Sequence, residues 1–307
     1  MDNKKKIKKT VLVIGGTGFL GHHISKKLIK LNYKVISVSL NKPKKLRRVK
    51  KVKYLLIDIR NKKELFKFNS IKNIDYIINF SGYIDHIGNK SKLKTHFYGT
   101  KNLISFFEKK KIKLFIQAGS SLEYGKSKSP HKEQKKSTPI SLYAKAKFLT
   151  NLYLQKASRK FKFDYLILRI YQVYGPGQNA DRLIPQVIKS CLRNEKFNCS
   201  EGSQKRDYLF IEDFLELIIK ILKSKKITSG IYNVGSSKPV KIKNIIKFIK
   251  KNIKKGIPVF GGSKMRSEEM QSYFPDISKI KKYFKWSAKI RLKQGLIQTI
   301  KYYKKNE

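Results

Sequence analysis

Acidic residues are scarce in this chain. Asp and Glu number 20 against 72 Lys and Arg, which gives a formal net charge of +52 over 307 residues. Such an excess attracts polyanions at low salt without reading their sequence. The lysines are scattered, for example at Lys26, Lys27 and Lys30 and at Lys109, Lys110 and Lys111, where helices would meet solvent. They form no compact block and accompany abundant Ile, Asn, Phe and Tyr, so the charge reads as compositional drift rather than a specific nucleic-acid site. Cysteine is nearly absent. Cys191 and Cys199 fit neither a disulfide framework nor a metal-ligand spacing, so free buried thiols and no metal are expected. No apolar run reaches the roughly 18 residues of a membrane span. No apolar signal region precedes the first strand either, and Met1-Asp2-Asn3-Lys4-Lys5-Lys6 leads straight into it, which points to a cytoplasmic protein. Neither internal repeats nor a long linker is evident.

What the chain does have is alternation. Apolar runs at Val11–Ile14, Val35–Val38, Tyr54–Ile57, Tyr76–Phe80, Leu114–Ala118 and Tyr165–Ile170 read as strands. Helical spacing intervenes, with Ile24, Leu28 and Leu31 in one segment, Leu103, Ile104 and Phe107 in another, and Leu142–Lys156 as a third. Continuous apolar strands joined by helices predict an α/β fold with a doubly wound parallel sheet of the Rossmann kind. The pattern loosens after Gly175-Pro176-Gly177. A dinucleotide-binding domain is therefore expected over 1–173 plus 207–234, and a smaller α/β substrate lobe over 174–206 plus 235–307, with ligands in the cleft between them.

The first strand ends in Gly15-Gly16-Thr17-Gly18-Phe19-Leu20-Gly21. Gly15 permits a tight turn, Gly18 lets a pyrophosphate approach the backbone at a helix N-terminus, and Gly21 lets helix and strand pack closely. Farther on, Tyr143 and Lys147 are spaced one helical turn apart. An ammonium beside a phenol lowers the phenol pKa from about 10, so Tyr143 could exchange a proton with a substrate hydroxyl. Alone this spacing is weak, and a surface helix would explain it. Ser120 follows a strand at its carboxyl end, where its hydroxyl can hold the reacting oxygen near the tyrosine.

These residues carry a family resemblance over nearly the whole chain. It looks like an extended short-chain dehydrogenase/reductase of the NAD-dependent epimerase/dehydratase family of nucleotide-sugar enzymes. Gly15–Gly21 resembles the family's cofactor motif, Asp58-Ile59 its adenine-contacting pair, and Phe80-Ser81-Gly82 the segment along the cofactor. Gly99-Thr100-Lys101-Asn102-Leu103, Arg169 with Val173-Tyr174-Gly175-Pro176, and Arg206-Asp207-Tyr208 with Asp213 resemble further signatures. The resemblance implies Ser120, Tyr143 and Lys147 as the catalytic set, with Tyr143 the acid/base and Lys147 on the nicotinamide ribose. It extends the cofactor contacts to Phe19, Leu20 and Tyr171. It also implies substrate contacts at Ser121, Gln172 and Arg182, and diphosphate binding by Arg206 and Arg266. A homodimer through the Tyr143 helix is an option by analogy.

The second strand ends at Ser39, where an acidic residue would hold the adenosine ribose 2′-hydroxyl, and Lys42, Lys44, Lys45, Arg47 and Arg48 follow. This favours NADP(H) over NAD(H). Three departures from the family pattern bear on the reaction. His96 and Gln172 stand where asparagines are usual, and Ser121-Leu122 replaces the Asp-Glu pair of the family's dehydratases. Without that acid/base pair, water elimination is disfavoured. Gly119–Gly125 looks most like reductases of 4-keto-6-deoxy sugar nucleotides. The expected function is therefore reduction of a nucleotide-linked 4-keto sugar. The alternatives are a 4-epimerase with bound NAD and, from another class, a non-catalytic RNA- or nucleotide-binding protein of the same fold.

Overall fold

The computed structural model describes residues 8–71, 73–82, 94–265 and 269–306. The chain divides into two units. The first comprises Met1–Gly125, Lys136–Arg169 and Ser224–Tyr232; the second comprises Lys126–Lys135, Ile170–Lys223 and Asn233–Glu307.

The first unit is built on a seven-stranded sheet. Its strands are β1 (Thr10–Ile14), β2 (Lys34–Ser39), β3 (Lys53–Leu56), β4 (Tyr76–Asn79), β5 (Leu114–Ser120), β6 (Tyr165–Ile170) and β11 (Gly230–Val234). Their order is β11-β6-β5-β4-β1-β2-β3, and β1 pairs in parallel with both β2 and β4. All five residues of β1, all four of β4 and all seven of β5 are buried, as strands covered on both faces require. Helices α1 (Phe19–Lys30), α2 (Thr100–Phe107) and α3 (Leu142–Phe161) complete the crossovers. The strand order reverses between β1 and β4, so their carboxyl ends form the switch point where ligands of such sheets bind. The Rossmann α/β fold expected from the sequence is present.

Two boundaries differ from the sequence reading by more than one residue, for local reasons. β5 runs on through Gly119 to Ser120, which then caps a 3-10 turn over Ser121–Tyr124. Helix α3 continues past Lys156 because Ala157 and Ser158 are buried, and it stops where Lys162 takes a left-handed conformation.

In the second unit, β7 (Gln172–Tyr174) pairs in parallel with β10 (Tyr208–Phe210). β9 (Lys205–Arg206) lies between β12 (Val240–Lys241) and β14 (Ser272–Tyr273), and β8 (Lys196–Cys199) pairs with β13 (Ile257–Phe260). The helices are α4 (Leu183–Leu192), α5 (Ile211–Lys223), α6 (Ile242–Ile253), α7 (Ser278–Phe284) and α8 (Leu292–Asn306). On α6, Ile242, Ile245, Ile246, Ile249 and Ile253 fall at helical spacing and are buried, where α4, α6 and α8 pack together.

The division differs from the sequence reading at α5, which groups with the second unit. Asp213 explains this: its carboxylate accepts the backbone N–H groups of Lys289 (3.0 Å) and Ile290 (2.9 Å), and its carbonyl accepts from Trp286 Nε1 (3.0 Å). Both cysteines are free, Cys191 buried and Cys199 only half-buried. Burial pushes the Cys191 thiol up to about 11, which leaves it inert at neutral pH.

Candidate active site

The glycine turn opens directly from β1. Gly15 has φ of +74°, and its N–H donates to the Val38 carbonyl at 2.7 Å. A Cβ at Gly15 would lie 2.9 Å from the Phe80 backbone, and one at Gly21 would overlap the Gly15 carbonyl. Both positions therefore require glycine for packing. Gly18 differs. It is exposed, and a Cβ there would meet only the Gly15 carbonyl oxygen, at 3.2 Å, with open space otherwise. Gly18 is also the N-cap of α1, with no side chain capping the helix and no acidic residue in its first turn. Half-buried Phe19 and Leu20 continue that turn. An uncapped helix N-terminus with an open glycine face fits the pyrophosphate of a dinucleotide.

Around this turn, the Ser39 hydroxyl accepts from Thr17 N–H at 3.2 Å and donates to the Val38 carbonyl at 2.7 Å, so it braces the loop. Arg47, from the 3-10 turn Lys45–Arg47, reaches to within 3.5 Å of the Thr17 carbonyl, and its own carbonyl meets His22 Nδ1 at 2.8 Å. A guanidinium thus borders the glycine turn. Asp58 pairs with Arg60 at 2.7 Å, and this hydrogen-bonded ion pair holds its carboxyl below the usual range. Ile59 beside it is buried.

At the end of β4, Asn79 is fully buried and organises the neighbouring segments. Its Oδ1 accepts from Ser81 N–H and Oγ, and its Nδ2 donates to Thr100 and to Gln117 of β5. Gly82 has φ of +113°, and a Cβ there would overlap the His96 imidazole. His96 lies in a single π-helical turn, Lys94–Gly99, and is buried. Its ring stands edge-on to Tyr143, 4.9 Å between centroids, and its carbonyl accepts the Thr150 hydroxyl at 2.8 Å. The usual asparagine is thus replaced by a ring that packs on the tyrosine.

Tyr143 and Lys147 sit on the inner face of α3 and are both buried, at 9% and 3% relative exposure. That removes the surface-helix explanation of their spacing. Lys147 Nζ donates to the Ala118 carbonyl at 2.9 Å and lies 5.9 Å from the Tyr143 ring centroid. Burial lowers the Lys147 pKa to about 8, against the opposing pull of Glu123. Ser120 is buried at the end of β5. Its Oγ accepts from Leu122 N–H at 3.2 Å and its own N–H donates to Glu123 Oε1 at 2.8 Å. Ser121 beside it is also buried. β5 and α3 thus bring Ser120, Tyr143 and Lys147 into one unit.

The other expected contacts belong to the second unit. Tyr171 is buried, with its hydroxyl 2.7 Å from Nδ1 of fully buried His131, whose Nε2 meets the Ser127 carbonyl at 2.8 Å. Gln172 is exposed, and Arg182 is half-buried beside Asp181 at 3.8 Å. Arg206 pairs with Glu269 at 2.6 Å and donates to the Met270 carbonyl at 2.7 Å. Arg266 lies outside the described residues.

Among the buried polar residues, Asn79, Glu123, His131 and Asn151 are not singled out by the sequence motifs. Two left a legible trace. Ser120-Ser121-Leu122-Glu123 has the capping-box pattern that the structure forms, and Asn151 continues the Tyr143, Lys147 series by one more turn. Asn79 and His131 left none.

Comparison with known proteins agrees with this fold. The profile of the NAD dependent epimerase/dehydratase family matches residues 11–235. CDP-abequose synthase of Salmonella muenchen is 26% identical over 94% of this chain and 96% of its own. The crystal structure of UDP-glucose 4-epimerase from Thermotoga maritima with UDP-glucose superimposes with a TM-score of 0.90, at 25% identity over 97% of this chain and 99% of that one. UDP-glucuronic acid 4-epimerase from Bacillus cereus, solved with UDP-glucuronic acid and NAD, shares the fold with a TM-score of 0.87, at 24% identity over 97% of this chain and all of that one.

Proposed function

From the chain's membership of the NAD dependent epimerase/dehydratase family, whose members are nucleotide-sugar enzymes, we propose that it reduces a 4-keto sugar carried on a nucleotide. The observation that carries the proton-transfer chemistry, which reduction and epimerisation share, is the burial of Lys147 one turn from Tyr143, with Lys147 at a pKa of about 8. A buried, charged lysine is costly, and it is kept where its charge favours a neighbouring phenolate.

A nicotinamide dinucleotide on the Gly15–Gly21 turn would supply hydride to the sugar carbon. Tyr143 would donate its phenolic proton to the carbonyl oxygen as that oxygen becomes an alkoxide. Lys147 would stabilise the phenolate left behind and hold the cofactor's ribose. Ser120 would fix the sugar oxygen by a hydrogen bond. Arg206 would meet the diphosphate by exchanging Glu269 for phosphate oxygens, and Arg182 would contact the substrate.

NADP(H) is the proposed cofactor. Ser39 offers no carboxylate to repel a 2′-phosphate, and Arg47 borders the turn. Dehydration is disfavoured because Glu123, the carboxylate of the 120–125 segment, is buried in an ion pair with Arg169. A 4-epimerase is the second reading, favoured by the Thermotoga maritima structure. The exposed stripe of Leu142, Leu149 and Leu152 on α3 supports a homodimer through that helix.

The test is a panel of 4-keto and 4-hydroxy sugar nucleotides with NADPH or NADH. Consumption of NADPH by a 4-keto sugar supports reduction. Isomerisation with no net cofactor turnover replaces it by epimerisation.

A further inference from the structure

The buried carboxylate of Glu123 touches both elements that carry the reacting groups. Its Oε1 accepts from the Ser120 N–H at 2.8 Å. Its Oε2 accepts from Asn151 Nδ2 at 2.8 Å and from Arg169 Nε at 3.0 Å. Ser120 ends β5. Asn151 lies on α3 one turn beyond Lys147 and two beyond Tyr143. Arg169, on β6, stacks its guanidinium over the Tyr124 ring at 4.5 Å and donates Nη2 to Ser137. Glu123 is fully buried and Arg169 nearly so. One carboxylate thus bridges the serine turn and the tyrosine–lysine helix, and β6 neutralises it from behind.

We propose that Glu123 is the positioning residue of this site: through Ser120 and Asn151 it fixes the separation of the serine turn from the tyrosine–lysine helix. This rests on the reading of Ser120, Tyr143 and Lys147 as the reacting groups. A fold could be held by an ion pair at any point of the core. This one ends on the two elements between which a substrate oxygen would be gripped, and a misplacement of about 1 Å there costs roughly a hundredfold in rate. Glu123 also acts on charge. Among the described residues it is the group whose negative charge opposes the lowering of Lys147's pKa by burial. Tyr143 lies on the same helix, the Ala118 carbonyl faces Lys147 from β5, and His96 stands against Tyr143 from the neighbouring segment.

Two variants separate the roles. Asn151→Ala releases α3 but leaves Glu123 bonded to Arg169 and to Ser120. With NADPH and the sugar nucleotide identified by the panel, kcat should fall roughly tenfold to a hundredfold with KM little changed. Glu123→Gln removes the negative charge. In it, the pH at which Lys147 becomes half-reactive toward acetic anhydride, read by peptide mass spectrometry, should move below the wild-type value. If this variant does not fold, Glu123→Gln with Arg169→Gln, which removes both buried charges, replaces it in that measurement. An Asn151→Ala enzyme with wild-type kcat, or an unchanged Lys147 midpoint without the Glu123 charge, overturns the proposal. If wild-type protein turns over no sugar nucleotide, the reading of the reaction fails instead, and the Lys147 midpoint still decides the role of Glu123.

Discussion

Replacing Lys147 by methionine should abolish turnover and yet make the protein more stable at neutral pH. The lysine is almost completely buried, and its pKa falls from an ordinary 10.5 to about 8. At about 1.4 kcal/mol per pH unit, holding the charged form in the fold costs about 3 kcal/mol below pH 8. Methionine has a similar length and no charge to desolvate. The hydrogen bond lost to the Ala118 carbonyl offsets about 1 kcal/mol. That carbonyl is not left bare, because Gln117 Nε2 also donates to it at 3.0 Å. The net expectation is a gain of about 2 kcal/mol at pH 7. The sign with pH follows from the direction of the shift. Below pH 8 the lysine is charged in both folded and unfolded chains, and the full penalty applies. Between about 8 and 10.5 the unfolded chain binds the extra proton, so the wild type recovers stability as pH rises and the advantage of methionine shrinks. Urea midpoints of both proteins at pH 7 and pH 10, compared as a difference, isolate this group from the other lysines. A methionine variant less stable than wild type at pH 7, or an advantage that does not shrink by pH 10, would show that the fold does not hold a charged Lys147 at a cost.

Tyr143→Phe removes the proposed proton donor and leaves the packing against His96, so kcat should fall by about 10²–10⁴ while affinity for NADPH, measured by its fluorescence, stays close to wild type. Arg47→Ala should weaken NADPH more than NADH, and equal losses for the two in titration calorimetry would remove Arg47 from cofactor choice. Gly21→Val should abolish dinucleotide binding, because its side chain would overlap the Gly15 carbonyl and drive α1 from β1; unchanged binding would show that the turn does not hold the cofactor.

Much of this arrangement was readable from local pattern. The run Val11–Ile14 followed by three spaced glycines announced a strand, a turn and a helix, because a doubly covered strand must be apolar throughout and close packing must be glycine. The Tyr143–Lys147 spacing was readable only as geometry on a helix. Whether that face was buried depended on β5 and on the His96 turn, which local spacing does not encode. The same limit hid the Glu123–Arg169 pair. The Ser120–Glu123 cap is local, but its ionic partner lies 46 residues away. Arg206 reads as a free cation in sequence, and its Glu269 partner is 63 residues away. The grouping of α5 with the second unit was likewise set by the distant backbone amides of Lys289 and Ile290 on Asp213.

Tyr143 and Lys147 are proposed to serve reduction of a nucleotide-linked keto sugar. The deciding measurement is single-turnover reaction of the wild-type protein with NADPH deuterated on the transferring face and a panel of 4-keto and 4-hydroxy sugar nucleotides, the product sugar being read by NMR. Reduction would place deuterium at C4 with one NADPH oxidised per sugar reduced, and that product would be lost in Tyr143→Phe. A 4-hydroxy sugar inverted at C4 with no deuterium incorporated, or full activity in Tyr143→Phe, would contradict it.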